Sequence, residues 1–138
     1  VLLDTHVWVW LVGDVPRQLG PRTRKRLART SGGDALAVSA ASAFEIAALH
    51  TAGRLQLTQP VERWVRESIE RSGFRVLSID RDTCLDAGLI PSSALPDPLD
   101  RLLVATARGH GVPLVTRDRA ILDYADRTGL VRVIDASA

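Results

Sequence analysis

Val1-Leu2-Leu3-Asp4-Thr5-His6-Val7-Trp8-Val9-Trp10-Leu11-Val12-Gly13 opens the chain, and where it is divided decides the fold. Val1 to Leu3 reads as a buried strand. His6 to Val12 alternates and is rich in β-branched residues, so a strand would also suit it. A short helix is the better division, because Asp4-Thr5 can cap its start and Gly13 can end it. The chain therefore begins as strand, carboxylate, helix.

The same alternation continues downstream. Helices are expected over Arg17 to Thr30 (stopped by Ser31-Gly32-Gly33), Ala40 to Thr51, Pro60 to Ser72, Asp82 to Leu89, Pro98 to Gly109 and Arg119 to Asp126. Strands are expected over Ala35 to Val38, Phe74 to Ile79, Val112 to Thr116 and Val131 to Ile134. Pro98 to Gly109 has apolar residues on several faces, which predicts a helix buried between layers. Strands alternating with helices imply an α/β fold with a mostly parallel sheet. No repeat, linker or low-complexity tract divides the chain, so residues 1–138 are read as a single domain.

Composition narrows the function classes. The 138 residues are 46% hydrophobic and 25% charged, ordinary for a globular domain with a proper core. No segment approaches the ~20 apolar residues of a membrane span. Asp4 and His6 interrupt the start, and no basic stretch precedes it, so a secretory signal is not expected. Cys84 is the only cysteine, which excludes an intramolecular disulfide or a cysteine zinc cluster. The expected compartment is the cytoplasm. The chain contains no Met, which is read as a missing initiator. Basic residues are almost all arginine, Lys25 being the only lysine. The run Arg22, Arg24, Lys25, Arg26 and Arg29 suits either a solvated helix face or a nucleic-acid or acidic-partner surface.

Four short phrases carry a carboxylate beside strongly apolar sequence: Leu3-Asp4-Thr5, Ser42-Ala43-Phe44-Glu45, Asp97-Pro98-Leu99-Asp100 and Thr116-Arg117-Asp118. Charges are rarely buried unless paired. Four carboxylates converging without a partner would repel one another until some protonated, and a divalent cation removes that conflict. Asp4 follows the first strand and Asp118 lies just past the fourth, where α/β sheets bind ligands. Asp80 and Asp135 also follow strands, and an Asp there often only caps the next helix. Ser42-x-x-Glu45 matches a capping box, yet Glu45 is the only ionisable side chain from Ala35 to Leu49. Asp97 before Pro98 suits an N-cap, which leaves Asp100 on the first turn, able to face a cleft. His6, His50 and His110 lack metal-ligand spacing. No nucleophile elbow, Walker loop or dinucleotide fingerprint occurs. A phospho-accepting receiver would need an acidic pair after the first strand and a lysine after the fifth, and both are missing.

LLDTHVWVWL, VSAASAFEIA, DPLDRLLVATA and LVTRDRAILDYA, in that order, resemble the PIN-domain toxins of the VapC type, from Leu2 to about Ile134. The segments GRLQL and GFRVLSID also resemble this family. The resemblance implies a PIN domain: a parallel sheet of about five strands in the order 3-2-1-4-5, with helices on both faces. That order sets strands one and four side by side and favours Asp4 and Asp118 over Asp80 and Asp135. By similarity the metal-binding and catalytic site is Asp4, Glu45, Asp100 and Asp118, with Asp4 and Asp100 as direct metal ligands and Glu45 and Asp118 holding a second metal, or orienting metal-bound waters and acting as general base. Thr5 and Thr116 fall where such proteins place hydroxyls near metal or substrate. Many relatives carry His and an aromatic where this chain has Leu95 and Leu99.

The resemblance implies an endoribonuclease toxin dependent on Mg²⁺ or Mn²⁺, which hard oxygen ligands suit better than zinc. Arg101, Arg117 and Arg119 could contact RNA phosphates or simply pair with the acids. The expected substrate is a single-stranded segment of structured RNA such as a tRNA or rRNA loop, because in-line attack needs access to a backbone that a duplex restrains. With aromatics at 4%, specificity would come from loop shape and a few base contacts rather than wide stacking platforms. The family further implies a homodimer and a cognate VapB-type antitoxin laid into an apolar groove beside the cleft, with Trp8 or Trp10 lining it or both serving as core. The competing classes are a non-cleaving PIN-like RNA- or partner-binding protein, opposed by the intact acid set, and a small-ester phosphatase.

Overall fold

The computed structural model describes residues 1–13, 18–30 and 36–138. The expected helix start at Arg17, the Ser31-Gly32-Gly33 stop and the strand start at Ala35 lie outside the described residues. The elements run β1 (Leu2–Leu3), α1 (Thr5–Val12), α2 (Pro21–Arg29), β2 (Ala37–Ser39), α3 (Ala40–Thr51), α4 (Val61–Ser72), β3 (Arg75–Leu77), α5 (Arg81–Leu89), α6 (Pro98–His110), β4 (Leu114–Thr116), α7 (Arg119–Thr128) and β5 (Val133–Asp135). The five strands form one sheet in the order β3-β2-β1-β4-β5, and every pairing is parallel.

His6 to Val12 is helical, as its flanks require: Asp4 is extended at the N-cap, and the Gly13 amide closes the helix on the Val9 carbonyl at 2.9 Å. The two residues of β1 show why the sheet is covered on both faces. Successive strand side chains point to opposite faces. Leu2 packs with Leu103, Val104, Leu114 and Ile121 in one core. Leu3 packs with Val7, Trp8, Val38, Ile46 and Trp64 in the other. Both leucines have no exposed surface. Helix α6 buries Leu103 through Ala107 in succession, the pattern of a helix held between layers.

Trp8 is pure core. It is fully buried, stands edge-on to Phe74 at 6.3 Å and donates its indole N–H to Ser68 Oγ at 3.0 Å. Leu95 is also fully buried in the core and presents nothing to a substrate. Among the described residues, no helix is long and apolar enough to cross a membrane.

Candidate active site

The two central strands bring their following residues together. The Asp4 amide donates to the Val115 carbonyl at 2.9 Å, locking the end of β1 to β4. Asp4 is only 6% exposed, and its carboxylate accepts a 2.5 Å hydrogen bond from the fully buried Thr116 hydroxyl. The same Thr116 oxygen accepts the Asp118 amide at 3.0 Å. One threonine thus fixes the acid of β1 against the acid that follows β4. Burial pushes the Asp4 pKa up, and the Thr116 hydrogen bond opposes that rise.

Glu45 reaches the site from the second turn of α3. Its Oε2 lies 2.7 Å from Thr5 Oγ1, which in turn lies 2.8 Å from Ser42 Oγ. A hydroxyl has one proton, and a carboxylate only accepts. Thr5 therefore donates to Glu45 and accepts from Ser42. This disposes of the capping-box reading: Ser39 caps α3, its hydroxyl accepting from the Ala41 amide at 3.0 Å, and Ser42 lies already inside the helix. The Glu45 pKa is raised, by burial first and then by the negative charge of Asp4, while Thr5 works against both.

Asp97 caps α6, accepting from the Leu99 amide at 2.9 Å, and Asp100 follows in the first turn. Burial pushes Asp100 up to about 8, assisted by the charges of Asp118, Asp97, Asp4 and Glu45. Asp118 caps α7 through the Ile121 amide at 3.1 Å and also lines the cleft. Asp4, Glu45, Asp97, Asp100 and Asp118 line one cleft of about 410 Å³ with His6, Trp10, Gln18 and Arg117. Among the described residues no three acidic, His or Cys side chains are drawn into a ready-made ligand group. The donor set itself is carboxylate oxygen, and three of the acids are held in a state that a cation would relieve. Those two properties fit Mg²⁺ or Mn²⁺.

The arginines divide. Arg117 lies on the cleft rim, its Nη1 donating to the Gln18 carbonyl and side-chain oxygens, both at 3.0 Å, with the guanidinium 5.9 Å from the Trp10 ring. Arg101 does not join the site. It lines a separate small cavity with Cys84, Ala87, Gly88, Pro98 and Leu102, and its buried Nε has no hydrogen-bond partner among the described residues. Helical geometry explains this: a step of one residue turns about 100°, so an Asp100 aimed at the cleft sends Arg101 sideways toward α5. Arg119 is exposed, does not line the cleft, and its charge acts on Asp135. Thr5 and Thr116, the hydroxyls singled out by the resemblance, hydrogen-bond Glu45 and Asp4.

His6, Trp10, Gln18 and Asp97 are cleft residues that sequence reasoning did not assign. Helical spacing offered a sign for two of them. His6 and Trp10 are i and i+4 on α1, hence on one face, and their rings lie 5.7 Å apart. Gln18 had no signal in the sequence.

A family model described as the PIN domain matches residues 1–127. Among curated proteins, Ribonuclease VapC22 of Mycobacterium tuberculosis is 39% identical over 124 residues, covering 90% of this chain and 91% of that protein. The chain therefore belongs to the PIN-domain family, in its VapC group. Solved structures agree on the fold. VapBC2 from Rickettsia felis, bound to a DNA fragment from its promoter, superposes with a TM-score of 0.69 at 12% identity over 97% of this chain and 96% of that one. VapBC-1 from nontypeable Haemophilus influenzae also gives 0.69, at 18% identity over 99% and 98%.

Proposed function

We propose that this chain is a single-domain endoribonuclease toxin that acts in the cytoplasm on single-stranded loops of structured RNA such as tRNA or rRNA, using Mg²⁺ or Mn²⁺. The observation that carries the reading is the convergence of five carboxylates on one cleft, three with raised pKa values and none paired with a cation among the described residues. The 39% identity to a protein named a ribonuclease supports the chemistry.

Asp4 and Asp100 would hold the ion, and Glu45 and Asp118 would complete its surroundings. When bound, Mg²⁺ or Mn²⁺ supplies a more acidic water and neutralises phosphate charge. The residues of the chain do the rest. Thr116 fixes the Asp4 carboxylate, and Thr5 fixes the Glu45 carboxylate. Glu45 or Asp118 takes the proton as water attacks phosphorus in line. The P–O3′ bond breaks, and the departing 3′ oxygen is protonated, leaving 3′-hydroxyl and 5′-phosphate ends. Cleavage of a structured RNA should require added Mg²⁺ or Mn²⁺, stop with EDTA and fall at one or few loop sites when the ends are sequenced. Undiminished cleavage after exhaustive chelation would sink the metal assignment.

The same reading includes protein partners. A groove of about 770 Å³ runs from Trp10 and Leu11 past Leu55, Leu57 and Trp64 to Glu67 and Arg71, and it meets the acid cleft at Trp10 and Gln18. An apolar trough with a charged rim suits an amphipathic segment of a VapB-type antitoxin. Leu85 and Leu89 on α5 stand 60% and 81% exposed, an apolar face that a second copy of the chain would cover. Of the two tryptophans only Trp10 lines the groove, because Trp8 is core. Trp10→Ala should weaken antitoxin capture in a folded protein. Trp8→Ala should instead cost about 3–5 kcal/mol of stability. Co-purification with the product of the adjacent reading frame, sized by sedimentation, reads both the antitoxin and the dimer. Equal capture by wild type and Trp10→Ala, or a monomeric complex, would remove the corresponding part.

A further inference from the structure

The acid cleft opens on two sides, and the two openings differ in chemistry. Past Trp10 it meets the apolar groove. Past Arg117 it meets a second groove of about 610 Å³, walled by Gln18, Leu19, Arg24, Arg117 and Ser137, with Gly20 and Pro21 as its base. Gln18 and Arg117 line both this groove and the acid cleft, so the two are continuous. Among the described residues, no carboxylate side chain lines the second groove, and two guanidinium groups do.

The groove is built rather than incidental. The Gly20 amide donates to the Ala136 carbonyl at 2.8 Å, and the Thr23 amide donates to the Ala138 carbonyl at 3.0 Å. Thr23 Oγ1 donates within 3.1 Å of the Asp135 and Ala138 carbonyls. The residues after β5 are thereby pinned against the start of α2. Position 20 admits only glycine there, since a Cβ would lie 2.0 Å from the Ala138 oxygen. The Thr23 amide is already used, so attraction for an anion comes from the side chains. α2 extends the positive surface: Arg22, Arg24, Lys25, Arg26 and Arg29 are exposed, the helix holds no acid, and no carboxylate among the described residues forms an ion pair with them.

We propose that this basic groove carries the RNA backbone that flanks the scissile position, with Arg24 and Arg117 binding its phosphates beside the acid cleft. The proposal rests on the ribonuclease reading above and extends it to a defined strand path. Continuity sets the geometry: a strand whose reacting phosphate lies among the acids has its neighbouring phosphates within reach of Arg117 and then Arg24. Charge decides the direction, because polyanionic backbone is drawn along guanidinium groups and not across leucine and tryptophan.

The test uses the full chain carrying Asp100→Asn, so that RNA is bound without being cut, and a fluorescein-labelled mixed-sequence single-stranded RNA as probe. Arg24→Glu should weaken binding about 3- to 10-fold at low salt and lower the slope of log K against log salt by about 0.7–1, one phosphate contact. Arg24→Gln, which is milder at an exposed position, should lower the slope without reversing charge. Arg66→Glu, the same charge reversal on the exposed side of α4, should leave the slope unchanged. If the Arg24 variants keep the wild-type slope while the unsubstituted enzyme still cleaves RNA with Mg²⁺, the strand path is wrong and the nuclease reading stands. If they lose capture of an acidic protein partner instead, the groove is a protein-docking surface and the proposal fails. If the unsubstituted chain neither binds nor cleaves RNA, both readings fail together.

Discussion

Asp80 and Asp135 stand at or just past the ends of β3 and β5, the outer strands of the sheet, whereas Asp4 and Asp118 stand just past β1 and β4, its central pair. The outer acids are satisfied locally. Asp80 accepts the Thr83 amide at 2.8 Å, and Asp135 accepts the Ser137 hydroxyl and amide at 2.6 and 2.8 Å. These hydrogen bonds hold both carboxyls below their ordinary range. Asp4 has a partner 112 residues away and remains strained toward the neutral form by burial. Asp118 shares both conditions, capping its own helix while facing the cleft. The outer acids are held locally and away from the cleft, whereas Asp4 is held across the sheet and Asp118 keeps a place on the cleft beside its local cap.

The sharpest way to break this contrast is to neutralise each group without changing its shape. Asp4→Asn or Asp100→Asn should lower metal-dependent RNA cleavage by about 10²–10³-fold or more. Asp80→Asn and Asp135→Asn should stay close to wild type in the same assay. Comparable losses in both sets would erase the distinction between centre and edge.

A smaller effect is expected at the threonine that joins the two central acids. Thr116→Val keeps the volume and removes the donor to Asp4. Cleavage should fall about 10–100-fold, as when support behind a metal ligand is lost. Stability should fall by about 1–3 kcal/mol from the buried group left unpaired. Thr116→Ser should restore most of both, and equal rates for Val and Ser would show that the hydroxyl is irrelevant.

The smallest effect reverses the usual sign. Asp100 is raised to about 8, so the folded chain holds a proton there that the unfolded chain releases near 4. Stability contributed at this position is full below pH 4 and is lost as pH rises toward 8. In metal-free buffer Asp100→Asn should therefore raise the unfolding free energy at pH 8 by on the order of 1 kcal/mol after solvent screening, and change little at pH 4. Asp80→Ala should do the opposite, lowering Tm slightly while cleavage persists, because it deletes only a helix cap. Denaturation at the two pH values, read beside activity, decides it: a site acid trades stability for function, and an edge acid does not.

Much of this arrangement was legible in the residues. Apolar periodicity and turn signals place the seven helices and five strands found among the described residues, with bounds that differ by a few residues where both are described. The resemblance supplied strand order, and with it the choice of Asp4 and Asp118 over Asp80 and Asp135. What stayed illegible was angular or non-local. Arg101 and Asp100 are neighbours in sequence, yet one helical step separates cleft from interior. Trp8 and Trp10 look equivalent in the sequence, but only the fold shows that Ser68 and Phe74 enclose one and leave the other at a rim. The cap that Asp97 forms is readable from Pro98 beside it, but its second place on the cleft is not. Gln18 lies in a connecting stretch, and its contact with Arg117 spans 99 residues.

The Thr116–Asp4 hydrogen bond also sets a clock. Asp4 is synthesised 112 residues before its partner, and Asp118 follows two residues later still. Until β4 has emerged and paired with β1, the acids belong to separate pieces of polypeptide and no cleft exists. At about 5–20 residues per second, several seconds of synthesis pass in that state. A nascent chain that stops short of β4 therefore lacks the cleft, and the acids gather only when the seam between β1 and β4 closes.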